Sequence, residues 1–435
     1  MKLVQGDAEK KRMLSCPQDK KDIILFNIRG VKVAYDCNEM SLYHVGEGEN
    51  SIGSEIGTSK PQVPLFCDTQ CSYLVLNVVH SCNLACKYCF ASVYNRTPKM
   101  SPDLARECIS KLFHPRKNIK VGFFGGEPLM AWDTIVAAVE YAKFMAKARK
   151  VSCSFHVTTN ATLITDEIAK YIADHNFSVL VSLDGTSDVH NEYRPMKNGQ
   201  DSYKAVMQGM ELLKKHGVSR VTIRSTFTPE RIELLERAQH FQELVDAGYA
   251  KAYSIEPVCG SEGCSPLGNH SFSKEVLQEE FSKLSTWYLE HLNQGRILPY
   301  FYYRKLLEHL MLRKPQCTEC GAGKGYLTVN PLGDILACHR ESGTKIGHVR
   351  LGIDEELRLP WMENRIFRSK ECMSCWARYI CGGGCRQIKA EAGFDFSTPS
   401  AERCKVMEVL AMECLWLAAS MPPETARNYG NLNKG

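Results

Sequence analysis

From about residue 74 to 257 the chain alternates short runs of β-branched and aromatic residues with longer stretches whose apolar positions recur at helical spacing. The runs LVLNVVHSC, IKVGFFGGEP, SCSFHVTTN, FSVLVSLDG, SRVTIRSTF and KAYSIEPV predict six strands. Between them the periodicity predicts helices over 101–113, 132–147, 165–175, 202–216 and 229–245. Thr165-Asp-Glu and Thr228-Pro229-Glu230 read as helix starts, each with a capping hydroxyl and acidic residues for the positive end of the helix dipole, the second with a proline suited to the first turn. Near-continuous apolar strands alternating with helices imply a parallel sheet covered by helices. Six such units predict an α/β fold built as a partial (β/α)6 TIM-like barrel, with a doubly wound open sheet as the alternative. Both place chemistry at the carboxyl ends of the strands, here the polar tails HSC, GGEP, TTN, SLDG and EPV.

Outside this region the patterning is shorter. Residues 23–45 read as short strands around an Asn-Glu turn, a small N-terminal α+β segment, and GEGENSIGSEIGTSK after them reads as a linker. A glycine-containing loop, VCGSEGCSPLGNH, leads to helices over 274–293 and 299–312, and a last helical pattern covers 401–420. The expected division is 1–66, 67–300 and 301–435.

Composition then narrows the class. The 435 residues are 44% hydrophobic and 24% charged, ordinary globular usage, and a net charge of +5 gives no reason to expect a nucleic-acid partner. No run of about 18 apolar residues predicts a membrane span, and the N-terminus lacks a secretory pattern, so a cytoplasmic, reducing setting is expected. The unusual number is 20 cysteines. Eight lie in the 88 residues from Cys317 to Cys404 and three at Cys82, Cys86 and Cys89, whereas only four fall between Phe90 and Gln316. Clusters at ligand spacing point to metal rather than crosslinks, and reduced thiols suit a soft metal.

Cys82-Asn-Leu-Ala-Cys86-Lys-Tyr88-Cys89 follows the first strand of the barrel-like region. Three thiolates on one loop can hold three irons of a [4Fe-4S] cluster and leave the fourth open, the mark of a catalytic site. A zinc loop or buried cysteines are the alternatives. This C-x3-C-x2-C arrangement, with its aromatic residue before the last cysteine, resembles the radical S-adenosylmethionine superfamily. The resemblance implies an open iron that chelates S-adenosylmethionine, whose reductive cleavage yields a 5'-deoxyadenosyl radical that abstracts hydrogen from a substrate. It also implies cofactor contacts at Tyr88, at Gly125, Gly126 and Glu127 of the GGEP segment, and at Thr159, Asn160, Ser182, Asp184 and Val258. Arg194 would bind the cofactor's carboxylate; an ordinary turn at GGEP and a solvated loop charge at Arg194 are the plainer readings.

The tail runs Cys320-x12-Gly333-x4-Cys338, then Cys372-x2-Cys375-x5-Cys381-x3-Cys385 and Cys404, with VNPLGDILAC reading as a hairpin. It resembles the SPASM extension of radical enzymes. By that resemblance Cys317, Cys320, Cys338 and Cys385 would hold one auxiliary [4Fe-4S] cluster, and Cys372, Cys375, Cys381 and Cys404 a second; two four-cysteine zinc sites are the alternative.

SPASM enzymes mostly modify peptides, which implies a polypeptide substrate and an external one-electron reductant such as flavodoxin or ferredoxin. Anaerobic sulfatase maturases carry a basic aspartate where this chain has His339, a residue whose imidazole can accept a proton but can equally be structural. The run LFNIRGVKVAYDCNEMSLYHV resembles the leading segment of SCIFF, ranthipeptide and sactipeptide maturases, which install thioether bridges in Cys-rich precursor peptides. Such a segment would capture a peptide by strand addition, or would be a hairpin covering the barrel. The expected activity is thioether formation, with carbon-carbon crosslinking, sulfatase-maturase-like oxidation, or a zinc or electron-transfer protein as alternatives. Nine cysteines keep no assigned role: Cys16, Cys37, Cys67, Cys71, Cys108, Cys153, Cys259, Cys264 and Cys414. Cys108, Cys153 and Cys414 fit a hydrophobic core, and Cys67 with Cys71 has metal spacing without further partners.

Overall fold

The computed structural model describes residues 3–6, 9–15, 22–45, 52–56, 70–93, 99–114, 116–258, 271–362, 365–367, 369–391 and 398–429. Its N-terminal sheet comprises β1 (Leu3–Gly6), β2 (Glu9–Ser15), β3 (Asp22–Ile28), β4 (Val31–Asp36), β5 (Ser41–Val45) and β6 (Ile52–Ile56), all antiparallel and in chain order. The helical part of the expected α+β segment is not found among the described residues. Two tight turns account for the all-β outcome. Arg29 and Gly30 both have positive φ, 54° and 83°, the two-residue turn whose twist suits a hairpin. At the Asn-Glu turn, Asp36 Oδ1 accepts the N–H groups of Asn38 and Glu39 at 3.0 and 3.1 Å. Part of the stretch read as a linker is strand β6, paired with β5.

The second sheet contains the six expected parallel strands: β7 (Tyr73–Val79), β8 (Ile119–Gly125), β9 (Cys153–Thr159), β10 (Ser178–Ser182), β11 (Val221–Phe227) and β12 (Ala252–Pro257). Each pairs with its neighbour in chain order, with no reversal of direction along the sheet. That order is a barrel's and not a doubly wound sheet's, which reverses at a switch point. The barrel is not closed: β12 stands at one edge, while β7 pairs on its far side with β13 (Tyr326–Val329). From there the sheet turns antiparallel through β14 (Asp334–Leu336), β15 (Lys345–His348) and β16 (Gly352–Ile353), and Gly333, at φ 88°, makes the turn of the expected hairpin.

Helices α1 (Pro102–Leu112), α2 (Trp132–Arg149) and α3 (Asp166–Asp174) connect the strands as periodicity predicts, and Thr165 Oγ1 accepts the Ile168 N–H at 3.2 Å. The short α4 (Ser187–Tyr193) lacks enough turns for a periodic pattern. After α5 (Ser202–Lys215), the helix expected from Thr228-Pro229-Glu230 begins later, as α6 (Leu234–Asp246). Thr228 and Arg231 instead close a bridged turn, and the Arg231 guanidinium is held by Asp188, Glu192 and Glu233. Helices α7 (Lys274–Asn293) and α8 (Phe301–Met311) follow, and a later helix, Ala401–Ser420, packs against both. Cys108 and Cys414 are fully buried, as a core role requires; Cys16, Cys67, Cys259 and Cys264 lie outside the described residues.

The N-terminal sheet leans on the cysteine-rich tail. Trp376 meets Phe26 at 5.0 Å between ring centroids and Tyr35 edge-on at 6.5 Å, and Arg378 Nη2 donates to Asn38 Oδ1 at 2.5 Å. Trp376→Ala is expected to cost about 3 kcal/mol and to speed amide exchange across residues 22–45. Unchanged exchange there would show that other contacts hold the sheet.

Candidate active site

The loop after β7 is shaped by its backbone. Cys89 N–H donates to Cys86 O at 3.1 Å, Ala85 N–H to Pro195 O at 2.8 Å and Lys87 N–H to Tyr193 O at 2.9 Å, so the cysteine loop runs along the segment after α4. Leu84 N–H points at Cys82 Sγ (3.4 Å), and Asn160 Nδ2 lies 3.7 Å from the same sulfur. Burial pushes the Cys82 thiol up to about 11 and Cys86 to about 12, the latter against the opposing pull of Arg194. Binding of a metal by these thiols must therefore release protons.

Gly125-Gly126-Glu127 closes on that loop rather than only on the space in front of it. A Cβ at Gly125 would stand 2.1 Å from Val79 O and one at Gly126 2.2 Å from Ser81 O, and the Gly126 and Glu127 N–H groups bond those carbonyls at 2.7 and 2.9 Å. The Glu127 carboxylate turns inward, fully buried. It accepts Thr159 Oγ1–H and Asn160 N–H at 2.7 Å each and Leu129 N–H at 3.1 Å. Burial raises its carboxyl to about 7 despite these donors. A folded pKa above the unfolded one contributes stability fully present below about pH 4.5 and lost as pH rises through about 7, roughly 3 kcal/mol in all. Glu127→Gln should flatten this trend. The apo protein's melting temperature should fall across that window in the parent and not in the variant; parallel profiles would sink the assignment.

One open cleft, enclosing about 1130 Å³, gathers most of the expected residues. Cys82, Cys86, Cys89, Tyr88, Gly125, Gly126, Thr159, Asn160, Ser182, Arg194, Val258 and His339 all line it. Glu127 and Asp184 do not; both lie beneath the floor with no exposed surface. Arg194 Nε stands 3.0 Å from Asp184 Oδ2, at ion-pair distance though off hydrogen-bond alignment. At the far wall, His339 accepts or donates through Nδ1 to Tyr326 OH at 2.7 Å, and its ring lies 4.5 Å from Phe124. Desolvation, with Arg224 and Arg340 nearby, lowers its pKa to about 3, so the imidazole is neutral at ordinary pH and a weak base.

The sequence reading missed several lining residues, among them Phe90, Arg224, Thr226, Glu256 and Arg340. Arg224 pairs with Glu256 across neighbouring strand ends, and Arg340 lies over the Phe90 ring at 4.5 Å. A clue was present: in β11 the polar residues Thr222, Arg224 and Thr226 alternate with buried Val221, Ile223 and Phe227. Polar side chains on one face of a barrel strand mark an interior that is not sealed.

A second cavity of about 590 Å³ is lined by Cys372, Cys375, Cys381, Cys404 and Cys385, together with Arg378 and Arg403. Gly382, Gly383 and Gly384 all have positive φ, 74°, 84° and 73°, carrying the chain between Cys381 and Cys385 along a path that favours glycine. Burial raises the thiols of Cys320, Cys338 and Cys385; Cys385 adds to the rise at both Cys320 and Cys338, which places these sulfurs near one another. The residue before Cys317 is pinned to the segment of Cys381: Gln316 N–H donates to Tyr379 O at 2.8 Å and Gln316 Nε2 to Cys381 O at 3.0 Å. Among the described residues no three His, Cys, Asp or Glu side chains converge on one point as a single metal ion requires. Cys82, Cys86 and Cys89 border the cleft instead, and Cys372, Cys375, Cys381, Cys385 and Cys404 the second cavity.

Residues 76–241 match the Radical SAM superfamily. Over 362 residues, 78% of this chain and 73% of the relative, the sequence is 25% identical to the radical SAM cyclopropyl synthase TigE of Paramaledivibacter caminithermalis. Over a shorter stretch of 147 residues, 32% of this chain and 35% of the relative, it is 40% identical to the serine-type anaerobic sulfatase-maturating enzyme of Bacteroides thetaiotaomicron. The fold is similar to that of native anSMEcpe with bound AdoMet and Cp18Cys peptide, with a TM-score of 0.67 at 21% identity, covering 83% of this chain and all of that one. Among the described residues no helix is long and apolar enough to cross a membrane. With its parallel strands in barrel order and a cysteine loop at the end of the first of them, the chain carries, over residues 76–241, a segment that matches the Radical SAM superfamily.

Proposed function

We propose that this enzyme matures a ribosomally made, Cys-rich peptide by joining a cysteine sulfur to a peptide carbon. What carries the reading is the single cleft whose lining combines three thiols of one loop with Gly125, Asn160 and Ser182 at successive strand ends and Arg194 at the end of α4. In it Cys82, Cys86 and Cys89 hold the [4Fe-4S] cluster of the radical site. Gly125, Gly126, Thr159, Asn160, Ser182, Tyr88 and Val258 receive S-adenosylmethionine, and Arg194 its carboxylate. When bound, these groups supply a carbon radical that takes a hydrogen atom from the substrate.

The tail extends this arrangement. Cys372, Cys375, Cys381 and Cys404 line one cavity and would hold one auxiliary cluster, and Cys317, Cys320, Cys338 and Cys385 would hold the other, with Cys385 also lining the first cavity. Crosslinking removes one hydrogen from carbon and one from sulfur. The first would leave in 5'-deoxyadenosine and the second as a proton, and an auxiliary cluster held by the tail cysteines would supply the acceptor for the surplus electron. An external flavodoxin or ferredoxin reduces the radical site. The N-terminal sheet, 1–66 in the expected division, offers strand edges to the peptide.

Names of relatives support a polypeptide substrate but also a second reading, since a stretch of 147 residues is 40% identical to a sulfatase-maturating enzyme. Reduced, reconstituted enzyme incubated with its precursor peptide and S-adenosylmethionine should give 5'-deoxyadenosine and a peptide two hydrogens lighter that has lost one alkylatable thiol. An unchanged mass would defeat crosslinking altogether. The same mass change with every thiol still alkylatable and a carbonyl reactive toward hydrazide would favour serine oxidation instead.

A further inference from the structure

We propose that Asp184 is the positioning residue of the radical site, aiming Arg194 and Tyr88 at the cofactor from beneath the floor of the cleft without touching the cofactor itself. The inference rests on the reading of Arg194 as the partner of the cofactor's carboxylate and adds to it the residue that sets that arginine's direction.

Asp184 follows β10 and has no exposed surface. Every polar atom it carries is engaged. Its Oδ1 accepts the Thr226 N–H at 2.9 Å, from the neighbouring strand β11. Its Oδ2 accepts the Tyr88 hydroxyl and faces Arg194 Nε at 3.0 Å. Its carbonyl takes a donor from the buried Arg237 and the Ser225 hydroxyl, and its N–H points at His190 Nδ1 at 3.3 Å. Burial alone would raise the carboxyl, but Arg194, Arg237 and His190 outweigh it and hold it below the usual carboxylate range. The group is therefore a fixed anion.

What it fixes are two cleft residues, Tyr88 within the cysteine loop and Arg194 beside it. The Arg194 guanidinium carbon lies 5.3 Å from the Tyr88 ring centroid, and Arg194 Nη1 reaches within 4.0 Å of Cys86 Sγ. A long arginine side chain loses much freedom on binding an anion unless something has already oriented its fork. Here one carboxylate orients the fork from behind, anchors the tyrosine between two of the loop cysteines, and is itself clamped by the backbone of β11. Such support from a second layer is what holds a binding constellation within fractions of an ångström.

The test uses the full chain, anaerobically reconstituted, with S-adenosylmethionine binding read by equilibrium dialysis of the radiolabelled compound. Asp184→Asn and Arg194→Ala should each weaken binding at least tenfold while iron content stays at the parent level. Because Asp184 acts through Arg194, the double variant should bind within about threefold of Arg194→Ala alone. Binding by Asp184→Asn within twofold of the parent, or losses that multiply in the double variant, would overturn the inference. Parent-like binding by Arg194→Ala would overturn the cofactor-site reading as well, which separates the two failures. If unpairing the buried arginine keeps Asp184→Asn from folding, Tyr88→Phe serves. It removes one hydrogen bond to the same carboxylate without unpairing a charge, should weaken binding threefold or more at an unchanged melting temperature, and at parent affinity would overturn the proposal.

Discussion

Replacing Cys82, Cys86 and Cys89 together by alanine should lower the iron content from about twelve to about eight per chain and abolish S-adenosylmethionine cleavage. The three thiols sit on one loop whose course is set by main-chain hydrogen bonds to residues 193–197, not by the sulfurs. Loss of the thiols therefore leaves the loop's scaffold standing. The eight tail cysteines belong to other segments, and five of them, Cys372, Cys375, Cys381, Cys385 and Cys404, border a different cavity, so the tail's iron should stay. Iron and acid-labile sulfide analysis, with 5'-deoxyadenosine quantified after dithionite reduction, checks both halves of the expectation. Loss of all iron would mean that the sites assemble interdependently. Cleavage that persists would move the radical site elsewhere.

Gly125→Ala should be nearly as disruptive by a different route. A Cβ at Gly125 lies 2.1 Å from Val79 O, and the residue's φ of 143° is one that side-chain-bearing residues rarely adopt. Val79 O cannot retreat, because it accepts the Gly126 N–H and Val79 pairs with Gly125 in the ladder between β7 and β8. Strain and collision together should cost about 4 kcal/mol and push the segment leading into Cys82 out of place. Gly199→Ala is the control: φ is positive there too, 76°, but a Cβ would meet nothing within 4 Å, so about 1 kcal/mol is expected. Melting temperature and cluster absorbance after reconstitution separate the two. Equal behaviour would deny the close approach.

How far the sequence reading reached depended on whether a residue's role was local. Strand periodicity predicted all six parallel strands, since each is a short run rich in β-branched and aromatic residues that is closed by polar or glycine residues. It also predicted the hairpin turning at Gly333, because only a few residues shape it. Cysteine spacing told which thiols share a loop or short segment. What escaped were features made by distant parts of the chain meeting. The Thr228-Pro229 start looked like a helix cap until Arg231 met Asp188 and Glu192 from another element. Asp184 and Glu127 read as residues facing the cleft because motifs give position along a strand but not depth. Arg224 and Glu256 carried no motif at all; only the polar alternation along β11 pointed inward. The N-terminal sheet was partly visible in its turns, whereas strand β6 hid in a glycine- and serine-rich run that composition alone assigns to a linker.

The pairing of β7 with β13 has a consequence for how the chain is made. Ser72 and Gly325, hydrogen-bonded beside this junction, are 253 positions apart. At about 5 to 20 residues per second, the ribosome needs roughly 12 to 50 seconds to deliver the second after the first. Throughout that interval the barrel's first strand presents a bare, apolar edge beside the loop of Cys82, Cys86 and Cys89, the kind of edge that recruits foreign strands. Nascent chains stalled before residue 326 should therefore be strong chaperone clients, and release should coincide with emergence of the tail hairpin.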